Sequence, residues 1–294
     1  MAQERRSIPT HVRMSTTEKV SRAYWALVVL PLLGLTVFYF YPLSKVLWLS
    51  VTVPRPGLGN FTHLLTSEGV HRILITTARI CIITSFVTLL MGYVIAYVMV
   101  HVSPQHRSWI LFVVLLSFWL SVLIRAFAWL TLLQSRGVVN TTLLQLGIIA
   151  EPLPLIRNEF GVMLGMVHYM IPYAVLPLYA NMQGIDQRLV LAARGLGASP
   201  LRTFTRVFLP LTMPGIVSAG ILVFIFALGF YITPALLGGG KTIMLAEYIS
   251  IQIIETLNWG AGTALATALL LTVVLLLCLV ARFANLREIF GIKQ

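Results

Sequence analysis

Charge is scarce in this chain. Only 10% of its 294 residues are Asp, Glu, Lys or Arg, and just nine residues are acids. Hydrophobic residues make up 58%, and mean hydropathy is +0.91. A soluble domain has no means of hiding that much apolar surface, so a soluble enzyme or soluble binding module is excluded. Cysteine is nearly absent. Cys81 and Cys278 lie far apart in apolar runs, which leaves two small hydrophobes and no disulfide framework, redox pair or metal spacing. No apolar run has an acid near its centre, and there is no H-E-x-x-H, G-x-S-x-G or paired-carboxylate pattern. The expectation is a non-catalytic chain with no metal and no cofactor. The first apolar run is too long for a signal-peptide core and no small-x-small site follows it, so no cleaved leader is expected.

Six uncharged or nearly uncharged runs are present, at about 24–46, 76–102, 109–133, 160–183, 214–236 and 261–283. At 1.5 Å per residue each is long enough to cross roughly 30 Å of hydrocarbon. The predicted fold class is an all-α polytopic membrane protein with six transmembrane helices. A membrane domain at 24–284 is flanked by tails at 1–23 and 285–294.

The chain carries 21 basic residues and a net charge of +12. A nucleic-acid footprint needs basic and aromatic residues clustered on a soluble fold, so no nucleic-acid partner is expected. Sidedness is the better reading. With the N-terminus inside, Arg5, Arg6, Arg13, Lys19, Arg22, Arg107, Arg188, Arg194, Arg202, Arg206, Arg282, Arg287 and Lys293 are cytoplasmic. Only Arg55, Arg72, Arg136, Arg157 and Lys241 are outside, together with five acids. That asymmetry favours both termini in the cytoplasm. The outer segment 50–75 contains "NFTHLL", which suits a short surface helix. The outer segment 134–158 contains "LLQLGII", apolar enough to lie in the interface.

The cytoplasmic segment 186–210 is too patterned for a slack loop. Asp186 suits an N-cap, and Leu189, Ala192, Ala193 and Leu196 share one helical face. Gly197 suits the left-handed position that ends a helix. Ser199 and Pro200 suit the cap and first turn of a second helix. Pro210 is expected to end it, and Pro214 to start the fifth span. The product is a helical hairpin. Physically it either lies flat on anionic headgroups or docks a cytoplasmic partner.

The pattern Leu191-Ala192-Ala193, Gly197, Val207, Leu209-Pro210 resembles the EAA loop of binding-protein-dependent ABC importer permeases. That loop reads Glu-Ala-Ala, three residues, Gly, nine residues, Ile, one residue, Leu-Pro, and the spacing agrees throughout. Leu191 stands where the family usually has Glu, and Gly195 where the polyamine branch often has an acid. "SFWLSVLIRAFAWLTLL", "GVVNTTLLQLGII" and "GFYITPALLGGGKTIMLAEYI" resemble the spermidine/putrescine-type permeases, in particular the first of the pair. The likeness covers about residues 20–290. It implies a type I importer permease in the bacterial inner membrane. Its implied partners are an ATP-binding subunit dimer, a second permease subunit, a periplasmic substrate-binding protein and the lipid bilayer. The hairpin becomes the ATPase-coupling loop, resting on shape and apolar contact more than on a charged pair. The implied solute is a small polar amine, a polyamine first, then an amino acid, opine or other organic solute.

"GGGKT", 238–242, resembles a phosphate-binding loop. That loop needs a Gly where Ala235 stands, and a strand before it instead of a membrane helix. Glycines that turn the chain are the expectation.

Intramembrane charge is costly and marks functional candidates. Arg125 either bonds to neighbouring helices as a structural group or lines and gates a path. Arg79, near a span end, can snorkel. Trp119 and Trp129 are ten residues apart, about 80° short of three turns, and need not share a face. A helix break is expected around Gly229–Pro234, where Tyr231 and Thr233 offer hydroxyls. His168 and Tyr169 are weaker candidates, with packing as the alternative. A secondary transporter would show inverted repeats and midplane acids, and a membrane enzyme a polar cluster at the face; neither pattern is found.

Overall fold

The computed structural model describes residues 27–283. The tails, with Arg5, Arg6, Arg13, Lys19, Arg22, Arg287 and Lys293, lie outside the described residues. Twelve helices account for the described chain: α1 (Leu27–Thr52), α2 (Gly59–Thr66), α3 (Glu68–His101), α4 (Pro104–Trp119), α5 (Val122–Leu133), α6 (Val138–Gln145), α7 (Glu159–Gln183), α8 (Gln187–Gly195), α9 (Pro200–Leu228), α10 (Ile232–Leu237), α11 (Leu245–Ser250) and α12 (Trp259–Phe283). Six candidate membrane spans are found, at Leu27–Thr52, Glu68–His101, Val122–Gln145, Glu159–Gln183, Pro200–Leu228 and Trp259–Arg282.

The core is a triplet of α3, α7 and α9. Met166, Met170, Ala174, Leu178 and Met182 of α7 are fully buried between Ile80, Cys81 and Ala96 of α3 and Ala219, Val223 and Ala227 of α9. Apolar side chains gain little by leaving lipid for protein, so close approach of small residues supplies the packing. A Cβ added at Gly92 of α3 would stand 2.7 Å from the Ala174 Cβ, and one at Gly215 of α9 would stand 2.7 Å from the Asn181 Cβ. Helix α1 packs on α12 and exposes Leu30 and Phe38.

Two expectations are corrected. The run 109–133 is not one helix. Leu120 and Ser121 take extended backbone (ψ 128° and 137°), which divides it into α4 and α5. A side chain explains how the break is held: Arg125, one turn into α5, reaches back to Ser117 in the last turn of α4. Second, Pro210 does not end the hairpin helix, nor does Pro214 start the fifth span. The chain runs as one helix from Pro200 to Leu228. A π-turn at Phe204–Phe208 makes this possible: Leu209 N–H bonds to Phe204 O, five residues back. The wider turn eases Pro210 past the carbonyl that its ring would otherwise strike. The hairpin is therefore the root of the fifth crossing, with no joint between them.

Most other expectations are met, and that of a snorkelling Arg79 is corrected. "NFTHLL" lies in the short helix α2. The helix break follows Leu228, with Gly229 and Phe230 between α9 and α10. The "GGGKT" segment is a turn between α10 and α11, with Gly239 and Gly240 at φ +58° and +74°. Arg79 pairs with Glu159 at the start of α7, so it is not a lone snorkelling cation. In the segment 134–158 buried Asn140 donates to Gln134 O and Leu153 O and accepts from Leu153 N–H, which folds the loop around one amide.

Candidate functional site

The hairpin is built as its sequence dictates. Asp186 Oδ1 accepts from Arg188 N–H at 2.9 Å and opens α8. Gly197 closes it at φ +84°, with its N–H on Arg194 O and the Ala198 N–H on Ala193 O. A Cβ at Gly197 would meet nothing within 4 Å, so the constraint there is backbone conformation and not space. Ser199 Oγ then accepts from Arg202 N–H at 3.3 Å and Pro200 opens α9. Of the coupling-loop candidates, Leu191, Ala192, Gly197 and Pro210 are exposed, while Ala193, Val207 and Leu209 are half-buried. Leu196 is 90% exposed, and Leu189 and Leu201 are also open. An apolar knob of this kind on a basic hairpin is a surface built to be covered.

The hairpin's root is fixed to the core by aromatic contacts. Tyr97 of α3 sits edge-on to Phe204 at 5.7 Å and to Phe208 at 5.5 Å. Both phenylalanines lie in the π-turn. A force on the hairpin therefore reaches α3 and α9 together.

The second constellation surrounds Arg125. Its residue is 9% exposed. Nη1 donates to Ser117 Oγ at 3.0 Å, and Cζ stands 4.5 Å from the centre of the Tyr169 ring. Nε is buried without an acceptor. No carboxylate pairs with it among the described residues. Tyr169 and Tyr173, one turn apart on α7, stack at 5.8 Å. Phe230 lies 4.6 Å from Tyr169, and Phe226 lies 4.5 Å from Tyr173. Phe118 meets Tyr173 edge-on at 5.0 Å. The result is a cluster of five aromatic rings, the cage, with Arg125 resting against its Tyr169 ring.

The sequence candidates do not all meet there. Trp129 Nε1 donates to His168 Nδ1 at 3.1 Å beside the cage. An indole N–H only donates, so His168 Nδ1 is the acceptor and bears no proton. Trp119 is 88% exposed and joins nothing in the cage. Tyr231 is 43% exposed at the start of α10. Thr233 is 3% exposed, and its methyl would stand 2.6 Å from a Cβ added at Gly165, so it seats α10 on α7. Sequence reasoning passed over Ser117, Phe118, Tyr173 and Phe226. A signal was available for one of them: Tyr169 and Tyr173 are an i, i+4 pair on α7, which puts both on one helix face.

Residues 88–287 match the family described as binding-protein-dependent transport system inner membrane component. The chain is 37% identical over 195 residues to the spermidine/putrescine transport system permease protein PotB of Haemophilus influenzae, covering 66% of this chain and 68% of that one. It is 34% identical over 218 residues to the protein of the same name in Escherichia coli, covering 74% and 78%. In fold it is similar to a chain of a bacterial alginate ABC transporter crystallised in complex with an alginate pentasaccharide-bound periplasmic protein, with a TM-score of 0.72, 20% identity, and 94% and 97% coverage. A second structure of a bacterial ABC transporter that imports alginate gives a TM-score of 0.70 at 19% identity, with 96% and 100% coverage.

Proposed function

This chain belongs to the family of binding-protein-dependent transport system inner membrane components, and from that premise we propose that it moves a polyamine inward through the cage around Arg125. It is a multi-pass inner-membrane permease subunit of an ABC importer. Its termini and the hairpin 186–210 face the cytoplasm, as the distribution of basic residues favours. The hairpin docks on one subunit of an ATP-binding dimer. A second permease completes the path, and a periplasmic binding protein delivers the solute. ATP hydrolysis belongs to the partner subunits.

The observation that carries the polyamine reading is the cage. Tyr169, Tyr173, Phe226 and Phe230 offer ring faces, which attract ammonium groups without binding them as tightly as a carboxylate would. Weak, repeated sites suit a solute that must leave again. Both PotB proteins above are named for spermidine and putrescine transport, which agrees with the ring chemistry. Tyr231, open at the break before α10, belongs to the path, whereas Thr233 supports it by packing on Gly165. Trp129 acts from behind the cage by fixing His168.

Gly197→Asp tests the coupling half of this reading. The substitution places a side chain at φ +84° on the docking tip. Solute uptake is expected to collapse while the complex still assembles. Unchanged uptake would remove the hairpin from the coupling route.

A further inference from the structure

We propose that Arg125 is a resident cation that occupies the aromatic cage between transport events and seals the path against small cations. The proposal rests on the reading that the solute path runs past this cage. A guanidinium buried to this depth ordinarily has a carboxylate or a full set of acceptors. Arg125 has one hydroxyl, from Ser117, and one ring face, from Tyr169. Its Nε has no acceptor among the described residues. It is thus held firmly enough to stay and loosely enough to move. It sits one turn into α5, so movement off the ring uses side-chain rotation alone and leaves the helix intact.

The ring that Arg125 covers is the one a passing ammonium needs. Tyr169 belongs to the same cage as Tyr173, Phe226 and Phe230. Two cations cannot share one ring face at close range, because their repulsion grows steeply at low dielectric. An incoming ammonium therefore displaces the guanidinium from the Tyr169 face while Ser117 keeps hold of it. When the solute leaves, Arg125 returns. An importer for a cationic solute faces a specific hazard: a path that welcomes ammonium also welcomes sodium, potassium and protons. An arginine resting on that ring between events raises the barrier to all three.

The test uses the full assembled complex in proteoliposomes, without ATP and without binding protein. Efflux of trapped sodium and methylammonium is measured, with glycerol as a neutral control. Arg125→Gln keeps a donor for Ser117 and removes the charge. Its cation efflux should rise roughly tenfold or more over wild type, the scale of one buried charge on ion passage, with glycerol efflux unchanged. Arg125→Lys should stay sealed. The double variant Ser117→Ala, Tyr169→Leu keeps the arginine but frees it, and should leak like Arg125→Gln. ATPase turnover of each complex reports assembly. Wild-type tightness in both Arg125→Gln and the double variant overturns the proposal, as does a leak that includes glycerol equally. ATP-driven uptake of spermidine by wild type is measured in parallel. Its absence, with the cation leak present in Arg125→Gln, refutes the polyamine reading and leaves the seal standing.

Discussion

Trp129 and His168 are joined by an indole-to-imidazole hydrogen bond of 3.1 Å, with the rings edge-on at 5.7 Å. The bond ties α5 to α7 behind the cage. Trp129→Phe should destabilise the complex by roughly 1 kcal/mol, because it leaves a half-buried acceptor unpaired. The measurement is the thermal midpoint of the purified complex. A ¹⁵N spectrum with labelled histidine should show His168 Nδ1 as an unprotonated acceptor in wild type; a protonated Nδ1 would contradict the geometry.

The approach of α3 to α7 at Gly92 gives a second expectation. A Cβ there would lie 2.7 Å from Ala174 Cβ and 3.5 Å from its backbone carbon, so the helices must part. Gly92→Val should cost about 1–3 kcal/mol or more by overpacking. Gly195→Ala, on the open face of the hairpin, should cost nothing measurable and gains slightly in helix propensity. Equal effects of the two on thermal stability would place the tight contact elsewhere.

How much of this was legible in the sequence follows from which forces act locally. The hairpin could be read because caps and turns are local: Asp186, Gly197 and Ser199 each act on residues within three positions. Five of the six apolar runs could be read because length and composition decide them; the third, expected at 109–133, was displaced, since the candidate span is Val122–Gln145 and takes in part of the segment expected outside. The break at Leu120–Ser121 was hidden, since neither residue is Gly or Pro and the tie that spans it joins Arg125 to Ser117, eight residues apart. The continuity of α9 was hidden for the opposite reason. Pro210 and Pro214 are strong stop signals, and a π-turn of Phe, Thr, Arg, Val and Phe has no sequence mark that announces it. The cage was half visible, because Arg125 and Tyr169 stand out singly, but their meeting depends on how α5 and α9 lean on α7.

Glu247 of α11, between the fifth and sixth spans, supplies a pH test. It is buried, and its Oε2 has no partner. Burial pushes its carboxyl above the usual 4.5; an N–H at Met244 pulls it partly back and the charge of Glu255 adds to the rise. A raised folded value means the folded state holds the proton more tightly than the unfolded chain. The stabilising contribution is full below the unfolded value and is lost as pH rises through the folded one. Glu247→Gln should therefore melt above wild type at about pH 8, and the gap should close as pH falls toward the usual carboxylate range. A gap that widens on acidification would show that Glu247 is held as a stabilised carboxylate.

Tyr231 and Thr233 should separate in function. Tyr231→Phe removes an accessible hydroxyl at the helix break and should slow uptake about five- to tenfold, the low end of losing one polar contact. Thr233→Val keeps the shape that packs on Gly165 and should leave the uptake rate near wild type. Ligand affinity of the isolated binding protein should be the same in both backgrounds. A slow Thr233→Val with a normal Tyr231→Phe would reverse the two assignments.

The central claim, a permease whose path admits a polyamine under ATP-driven control, is tested most directly by uptake of labelled spermidine into proteoliposomes holding this chain with its second permease and ATP-binding subunits. The account predicts uptake only when ATP is on the hairpin side and the binding protein is on the other. It further predicts that Gly197→Asp abolishes uptake while ATP still binds. Spermidine uptake that continues without ATP or without the binding protein, or that survives Gly197→Asp unchanged, would contradict it.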